Sequence, residues 1–179
     1  MNTPRVLSGE ARTVNVEDLY PHPENARDSD VGAICESIRK NGWYGKVLCQ
    51  RRGDGSLRIL VGEHRWRAAK EVGLTEIPVE IIEVDDGTAR RILLVDNRTQ
   101  DLASWDEGLL AELLRDVASE PDGLEGTGYD GDALDALLKA NEDPSAPKEE
   151  AEPKGRGMVT CPECGYKFTP GAMRRDDGR

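Results

Sequence analysis

The sequence predicts an α/β domain of the mixed α+β kind, a small mixed sheet with helices, followed by a short helical segment. Three observations carry that expectation. Two short apolar runs, Val47–Arg51 and Leu57–Val61, flank the turn residues Gly53-Asp54-Gly55-Ser56, which is hairpin chemistry. The second run passes through Gly62 directly into a helix-forming stretch. Beyond Asp86 the apolar spacing becomes helical, so strands are followed by helices and do not keep alternating with them.

The elements follow in order. Thr13-Val14-Asn15-Val16 alternates as a strand does. Pro21-His22-Pro23-Glu24-Asn25-Ala26-Arg27 predicts an extended loop, because each proline lacks a backbone donor and restricts its predecessor. Val31, Ile34, Cys35 and Ile38 recur at helical spacing until Asn41-Gly42 stops the helix. After the hairpin, a helix runs from Gly62 to about Val72, with Trp66, Ala69 and Val72 facing inward, and Ile77–Ile82 forms another strand. Ile92, Leu93 and Val95 mark a helix ending near Asn97. Ser104, with Glu107 three residues on, has the pattern of a reciprocal N-terminal cap. Trp105, Leu109, Leu110, Leu113 and Val117 would give that helix one apolar face. Gly126-Thr127-Gly128-Tyr129 reads as a turn, and Leu134, Leu137 and Leu138 as a short third helix. Residues 141–157, rich in Pro, Glu, Lys and Ala without periodicity, are expected to be a disordered linker.

Bulk properties narrow the function. The chain has 179 residues, of which 37% are hydrophobic and 33% charged, with a formal net charge of −11. That balance argues against gripping nucleic acid by general electrostatics, since such domains are usually basic. No apolar run is long enough to span a bilayer, and the N-terminus lacks a signal peptide's apolar stretch. Four irregularly spaced cysteines without a secretion signal favour reduced thiols, so the expected location is the cytoplasm.

The junction Val61-Gly62-Glu63-His64-Arg65-Trp66-Arg67 is suited to an anion. The first N–H groups of a helix have no internal partner, and the helix dipole adds partial positive charge there. Glycine allows close approach to the backbone, and Arg65 and Arg67 in the first turn and a half offer guanidinium groups that bind phosphate bidentately. The helix terminus supplies on the order of 1 kcal/mol, so the arginines are needed for a useful triphosphate site.

Gly62-Glu63-His64-Arg65-Trp66-Arg67-Ala68-Ala69 resembles the Gly-Glu-Arg-Arg-x-Arg-Ala box of ParB-like N-terminal domains in the ParB/sulfiredoxin superfamily, with His64 in place of the first paired arginine. The surrounding segments agree over residues 14–100: Asn25-Ala26-Arg27 after the proline-rich loop, Ser37–Gly42 before the second strand, Ile77-Pro78-Val79 after the box, and Val95-Asp96-Asn97-Arg98 where relatives carry Glu-Asn. The resemblance implies a ParB/sulfiredoxin-like nucleotide-binding domain over residues 10–100. A helical extension (101–140), the linker (141–157) and a cysteine-bearing tail (158–179) would follow. It implies a nucleoside triphosphate, usually CTP, held with Mg²⁺. Gly62, Glu63, His64, Arg65 and Arg67 would line the phosphates, Arg27 would approach from the loop, and Asp96 and Asn97 would reach the metal. A carboxylate with an amide oxygen suits that hard ion. From the residues alone, Asp96-Asn97 reads equally as the polar end of a helix.

Two departures bear on function. Gly42-Trp43-Tyr44-Gly45-Lys46 stands where relatives usually have Gln-Pro after the glycine, a segment that helps define the base pocket. Past residue 100 the chain carries an acidic helical segment where partitioning proteins carry a helix-turn-helix DNA reader, so contact with DNA is expected through partner proteins. The segments Leu93–Arg98 and Thr127–Asp130 are similar to ParB-like proteins of phages and mobile elements, often described as ParB-like nucleases. This implies a role in DNA partitioning or modification, in the host cytoplasm if phage-encoded. Slow triphosphate hydrolysis would accompany the nucleotide-binding reading; a metal-dependent nuclease, with Glu63 as the catalytic carboxylate and Asp96 the other candidate near the site, or a phosphotransferase is the enzymatic alternative, and a plain interaction adaptor is the non-enzymatic one. Sulfiredoxin chemistry is excluded, because that family's box has cysteine where this chain has Glu63.

Cys161-Pro162-Glu163-Cys164-Gly165 resembles one knuckle of a zinc ribbon. Structural zinc takes four ligands, so a complete Zn²⁺ site would need two chains sharing Cys161 and Cys164, as in a homodimer, or a partner's ligands. Cys35 and Cys49 read as small buried apolar residues.

Overall fold

In the computed structural model residues 6–142 are described, together with the short strands at 159–160 and 167–168. Residues 1–142 and 143–179 form separate units. The alternating apolar residues build a five-stranded mixed sheet. Its strands are β1 (Glu10–Asn15), β2 (Leu19–Tyr20), β3 (Val47–Arg51), β4 (Leu57–Val61) and β5 (Glu76–Ile82), in the order β1-β5-β3-β4-β2. β3 and β4 pair antiparallel as the expected hairpin, with a register shift between Leu48 and Cys49. β1 runs antiparallel to β5, while β3–β5 and β2–β4 are parallel. The first strand starts earlier than its apolar alternation suggested, at Glu10. Val16 falls in a single 3-10 turn, Val16–Asp18, capped by the Asn15 side chain.

Helix α1 (Gly32–Asn41) and helix α2 (Glu63–Glu71) pack together through Cys35, Ile38 and Ala68. The inward residues Trp66 and Ala69 of α2 close the main core with Val47, Ile59, Ile77 and Val79, all but Trp66 at 0–1% exposure. Trp66 also donates from Nε1 to the Val16 carbonyl at 2.8 Å, so its one polar atom is satisfied inside the core. Helix α3 (Asp86–Leu102) covers a second apolar cluster, with Ala89 against Leu60 and Ile82. Its start is fixed by Asp85, whose carboxylate accepts from the Thr88 N–H at 2.8 Å. A polar group closes this end. Arg58 donates to Gln50 Oε1 and to Asp86, and Gln50 donates to the Val84 carbonyl.

Three local expectations are corrected. α3 does not end near Asn97 but continues to Leu102, because Arg98-Thr99-Gln100-Asp101 contains no breaker. Asp96 and Asn97 therefore lie inside the helix and are not its terminal cap. Helix α4 (Glu107–Ala118) is capped by Asp106, which accepts from the Leu109 N–H at 3.0 Å, and not by Ser104. Its buried stripe is Leu110, Ala111 and Leu114, whereas Trp105, Leu109 and Leu113 are exposed; helix α5 (Gly131–Glu142) packs against α4. Tertiary packing, rather than apolar spacing alone, chose the direction of that stripe.

In the second unit, β6 (Val159–Thr160) pairs antiparallel with β7 (Lys167–Phe168). Cys161 and Cys164 lie outside the described residues, as does most of the expected linker. No helix among the described residues is long and apolar enough to cross a membrane.

Candidate functional site

The β4–α2 connection is made by Gly62 at φ 90°, ψ 23°, a left-handed conformation that a side chain adopts only with strain. It turns the chain so that the first turn of α2 opens onto a cleft of about 530 Å³, a size common for small-molecule sites. One wall is Gly62, Glu63, His64 and Arg65; another is Leu93, Asp96, Asn97 and Gln100 of α3. Asn25 and Arg27 come from the proline-rich loop, Ser37 from α1, and Tyr44 from the segment after it. The Gly126–Gly128 turn closes the remaining side.

That turn is held from a distance. Gly126 N–H donates to Glu36 Oε1 at 2.9 Å, the Asn41 amide donates to the Gly126 carbonyl at 3.0 Å, and Lys40 pairs with Asp122 and Glu125. A Cβ at Gly126 would stand 2.8 Å from Lys40 Cβ, so the approach requires glycine.

The cations of the site are not equivalent. Arg27 donates to the Asn97 carbonyl at 2.9 Å and pairs with Asp101 at 3.1 Å. Arg67 pairs with Glu63 and with Asp28, and it does not line the cleft. Arg65 has no carboxylate partner among the described residues. Its guanidinium carbon instead lies 5.7 Å from the centre of the Tyr44 ring.

The acidic residues divide likewise. Glu63 is only 7% exposed, and both of its oxygens are taken, one by the Asn25 amide at 2.8 Å and one by Arg67. Asp96 uses one oxygen to accept from Gln100 at 3.3 Å. Asn97 donates its amide to Asn25 Oδ1 at 3.3 Å, which leaves its own amide oxygen unengaged. His64 is half-buried with an enclosed, unpartnered Nε2. Among the described residues no three His, Cys, Asp or Glu side chains cluster as a metal site would require.

The cleft thus gathers Arg27, Gly62, Glu63, His64, Arg65, Asp96 and Asn97, residues up to 70 positions apart in sequence. A match to the ParB N-terminal domain spans residues 5–98, just over half of the 179. The chain belongs to the ParB N-terminal domain family. This ParB-like domain is 36% identical over 120 residues to a probable chromosome 1-partitioning protein ParB of Deinococcus radiodurans, covering 64% of this chain and 41% of that one. It is 30% identical over 146 residues to a probable chromosome-partitioning protein ParB of Xylella fastidiosa, covering 77% and 47%. The chain therefore spans less than half the length of these relatives. Its fold matches C-terminally truncated ParB from Caulobacter crescentus complexed with CTP-γ-S, with a TM-score of 0.65, 22% identity, and 76% and 81% of the two chains covered. The fold is of the ParB/sulfiredoxin type.

Sequence reasoning found the box, Arg27, Asp96-Asn97 and the segment that holds Tyr44, but it did not assign Asn25, Ser37, Gln100 or the Gly126–Gly128 turn to the site. Tyr44-Gly45 carried a signal, an aromatic residue beside glycine just after a helix stop. The Gly-Thr-Gly turn carried none that distinguishes it from an ordinary connection.

Proposed function

We propose that this ParB-like domain binds a nucleoside triphosphate with Mg²⁺ in the cleft at the start of α2. The carrying observation is Arg65, a cation without a carboxylate partner among the described residues, standing beside the open N–H groups of a helix. Paired arginines spend their donors on the protein; Arg65 keeps its own for a ligand. Family membership, and the CTP-γ-S complex of the similar Caulobacter protein, favour CTP. Asp96 and Asn97 both line the cleft, and each retains an oxygen without a partner among the described residues, the donor set a hard cation takes beside a phosphate. Bound Mg²⁺ would supply charge neutralisation of the phosphates. Glu63, with both oxygens occupied, orients Asn25 and Arg67, a positioning part better matched to binding than to acid–base chemistry.

The wider role is DNA-associated, in line with the chromosome-partitioning relatives. Contact with DNA runs through partner proteins, because α4 and α5 bring Arg115 and Lys139 as their only cations against a formal charge of −11.

Calorimetric titration of the full chain with CTP, ATP and GTP plus Mg²⁺ tests this reading. Losing a charge-assisted contact costs about 1.5–3 kcal/mol, so Arg65→Ala should weaken binding roughly tenfold or more. Asp96→Ala should weaken it only when Mg²⁺ is present. No heat with any nucleotide, or equal affinity for the parent and Arg65→Ala, refutes the proposal. Fluorescence anisotropy with a labelled duplex at physiological salt should show no binding by the isolated chain; tight binding there refutes the partner-mediated route.

A further inference from the structure

Tyr44 stands in the segment between α1 and β3, and it is joined to the site from both ends. Its ring carries the Arg65 guanidinium at 5.7 Å. Its hydroxyl lies 3.3 Å from Ser37 Oγ, and that oxygen also accepts from the Asn41 amide at 3.2 Å. Asn41 in turn holds the Gly126 carbonyl of the opposite wall. Beside the ring, Gly45 leaves room for the guanidinium, since a Cβ there would stand 2.9 Å from Arg65 Nη1.

We propose that Tyr44 is a positioning residue for Arg65 and thereby sets the affinity of the cleft for the phosphate chain of its ligand. The inference rests on the nucleotide-binding reading above. Its physical basis is the geometry of a guanidinium. A cation–π contact is an attraction between the cation and the ring's negative face and needs no acceptor oxygen, whereas phosphate hydrogen bonds use the guanidinium N–H groups. A ring therefore fixes the group without consuming a donor, which a carboxylate partner cannot do. Arg27 and Arg67 illustrate the contrast, with edges spent on Asp101, Asp28 and Glu63. Holding a long side chain beforehand also lowers the ordering cost at binding.

The test is a double-mutant cycle on the full chain, with Mg²⁺-CTP and inorganic tripolyphosphate as probes. Tripolyphosphate has no base, so it reports on the phosphate subsite alone. Cation–π support of about 0.5–1 kcal/mol corresponds to a roughly two- to fivefold loss of affinity in Tyr44→Leu. That loss should be the same for both probes and absent in an Arg65→Ala background. Tyr44→Phe, which keeps the ring, should restore most of it. Unchanged urea midpoints in both Tyr44 variants confirm that folding is not the cause. If Tyr44→Leu weakens CTP but not tripolyphosphate, or weakens CTP equally with Arg65 absent, the ring contacts the base and the positioning role is overturned. If Arg65→Ala weakens binding while Tyr44→Leu does not, this inference alone fails; if Arg65→Ala has no effect, the nucleotide reading fails with it.

Discussion

Replacing Gly62 with alanine tests how the site is built. At φ 90° the residue occupies a region that costs a side chain roughly 1–2 kcal/mol. The added methyl would meet Val47 Cγ2 at 3.4 Å and Val47 Cα at 3.7 Å, close to ordinary contact, so steric overlap adds little. Alanine also stiffens the unfolded chain, which returns about 0.4–1 kcal/mol. The net expectation is a loss of about 1 kcal/mol. With a urea slope of about 2 kcal/mol/M, the unfolding midpoint read by tryptophan fluorescence should fall by roughly 0.5 M. Gly62→Asn should lose less, because asparagine tolerates the left-handed region better. Gly53→Ala is the control: Gly53 has negative φ and nothing within 4 Å of a Cβ, so it should be neutral or slightly stabilising. A Gly62→Ala midpoint at or above the parent's would refute the claim that the junction depends on left-handed backbone.

Further outcomes follow from buried polar and sulfur atoms. Trp66→Phe removes the donor to the Val16 carbonyl and should cost about 1–3 kcal/mol in urea unfolding, while Trp105→Phe, 72% exposed, should cost almost nothing. His22 is 3% exposed, and burial, followed by nearby Arg58, holds its pKa below the ordinary value. The unfolded chain therefore takes up a proton that the folded chain resists. Stability is full above the unfolded pKa of about 6.5 and declines as pH falls below it. His22→Asn, which can still accept from the Glu24 N–H, should flatten urea midpoints between pH 7 and 5; an unchanged slope refutes the assignment. Asp86, lowered by hydrogen bonds from Gln50 and Arg58, acts in a separate window below the ordinary carboxylate pKa. Burial pushes the Cys49 thiol up to about 12, so mass spectrometry after native alkylation should find it unmodified, and ready labelling would contradict its placement.

The strands and α2 were legible because period-two alternation, the 53–56 turn and Gly62 all point to one arrangement. The start of α4 was not, since Ser104 and Asp106 both qualify as caps and only the extended backbone before Glu107 decides between them. The buried face of α4 was illegible for another reason: leucines lie on more than one side, and tertiary packing selects which are covered. Within the site, local sequence could reveal the box, whereas the Gly126–Gly128 wall depends on contacts to Lys40 and Asn41 some 85 residues away. The pairing of Arg67 was open to inspection. Glu63 and Arg67 stand at i and i+4, the spacing at which opposite charges meet on a helix, so an arginine assigned to phosphate had a nearer partner.

That charge distribution constrains how an anion can enter. Near the cleft, Arg27 is paired with Asp101 and Arg67 with Glu63, Asp96 adds a negative charge, and Arg65 is the one lining arginine without a counter-charge among the described residues. A single guanidinium and a helix terminus do not offset the several negative charges of a triphosphate close to the Asp96 carboxylate. On the proposed reading, Mg²⁺ would change the balance twice, by reducing the charge of the ligand and by turning Asp96 from a repulsive neighbour into a coordinating one. Affinity for CTP should therefore drop at least tenfold on chelation with EDTA. Asp96→Asn, which removes the repulsion but leaves an amide oxygen, should bind free CTP more tightly than the parent does while responding less to Mg²⁺. Parent protein that binds CTP equally well with and without the metal would show that the phosphates lie away from Asp96, and the placement of the cation beside α3 would have to be abandoned.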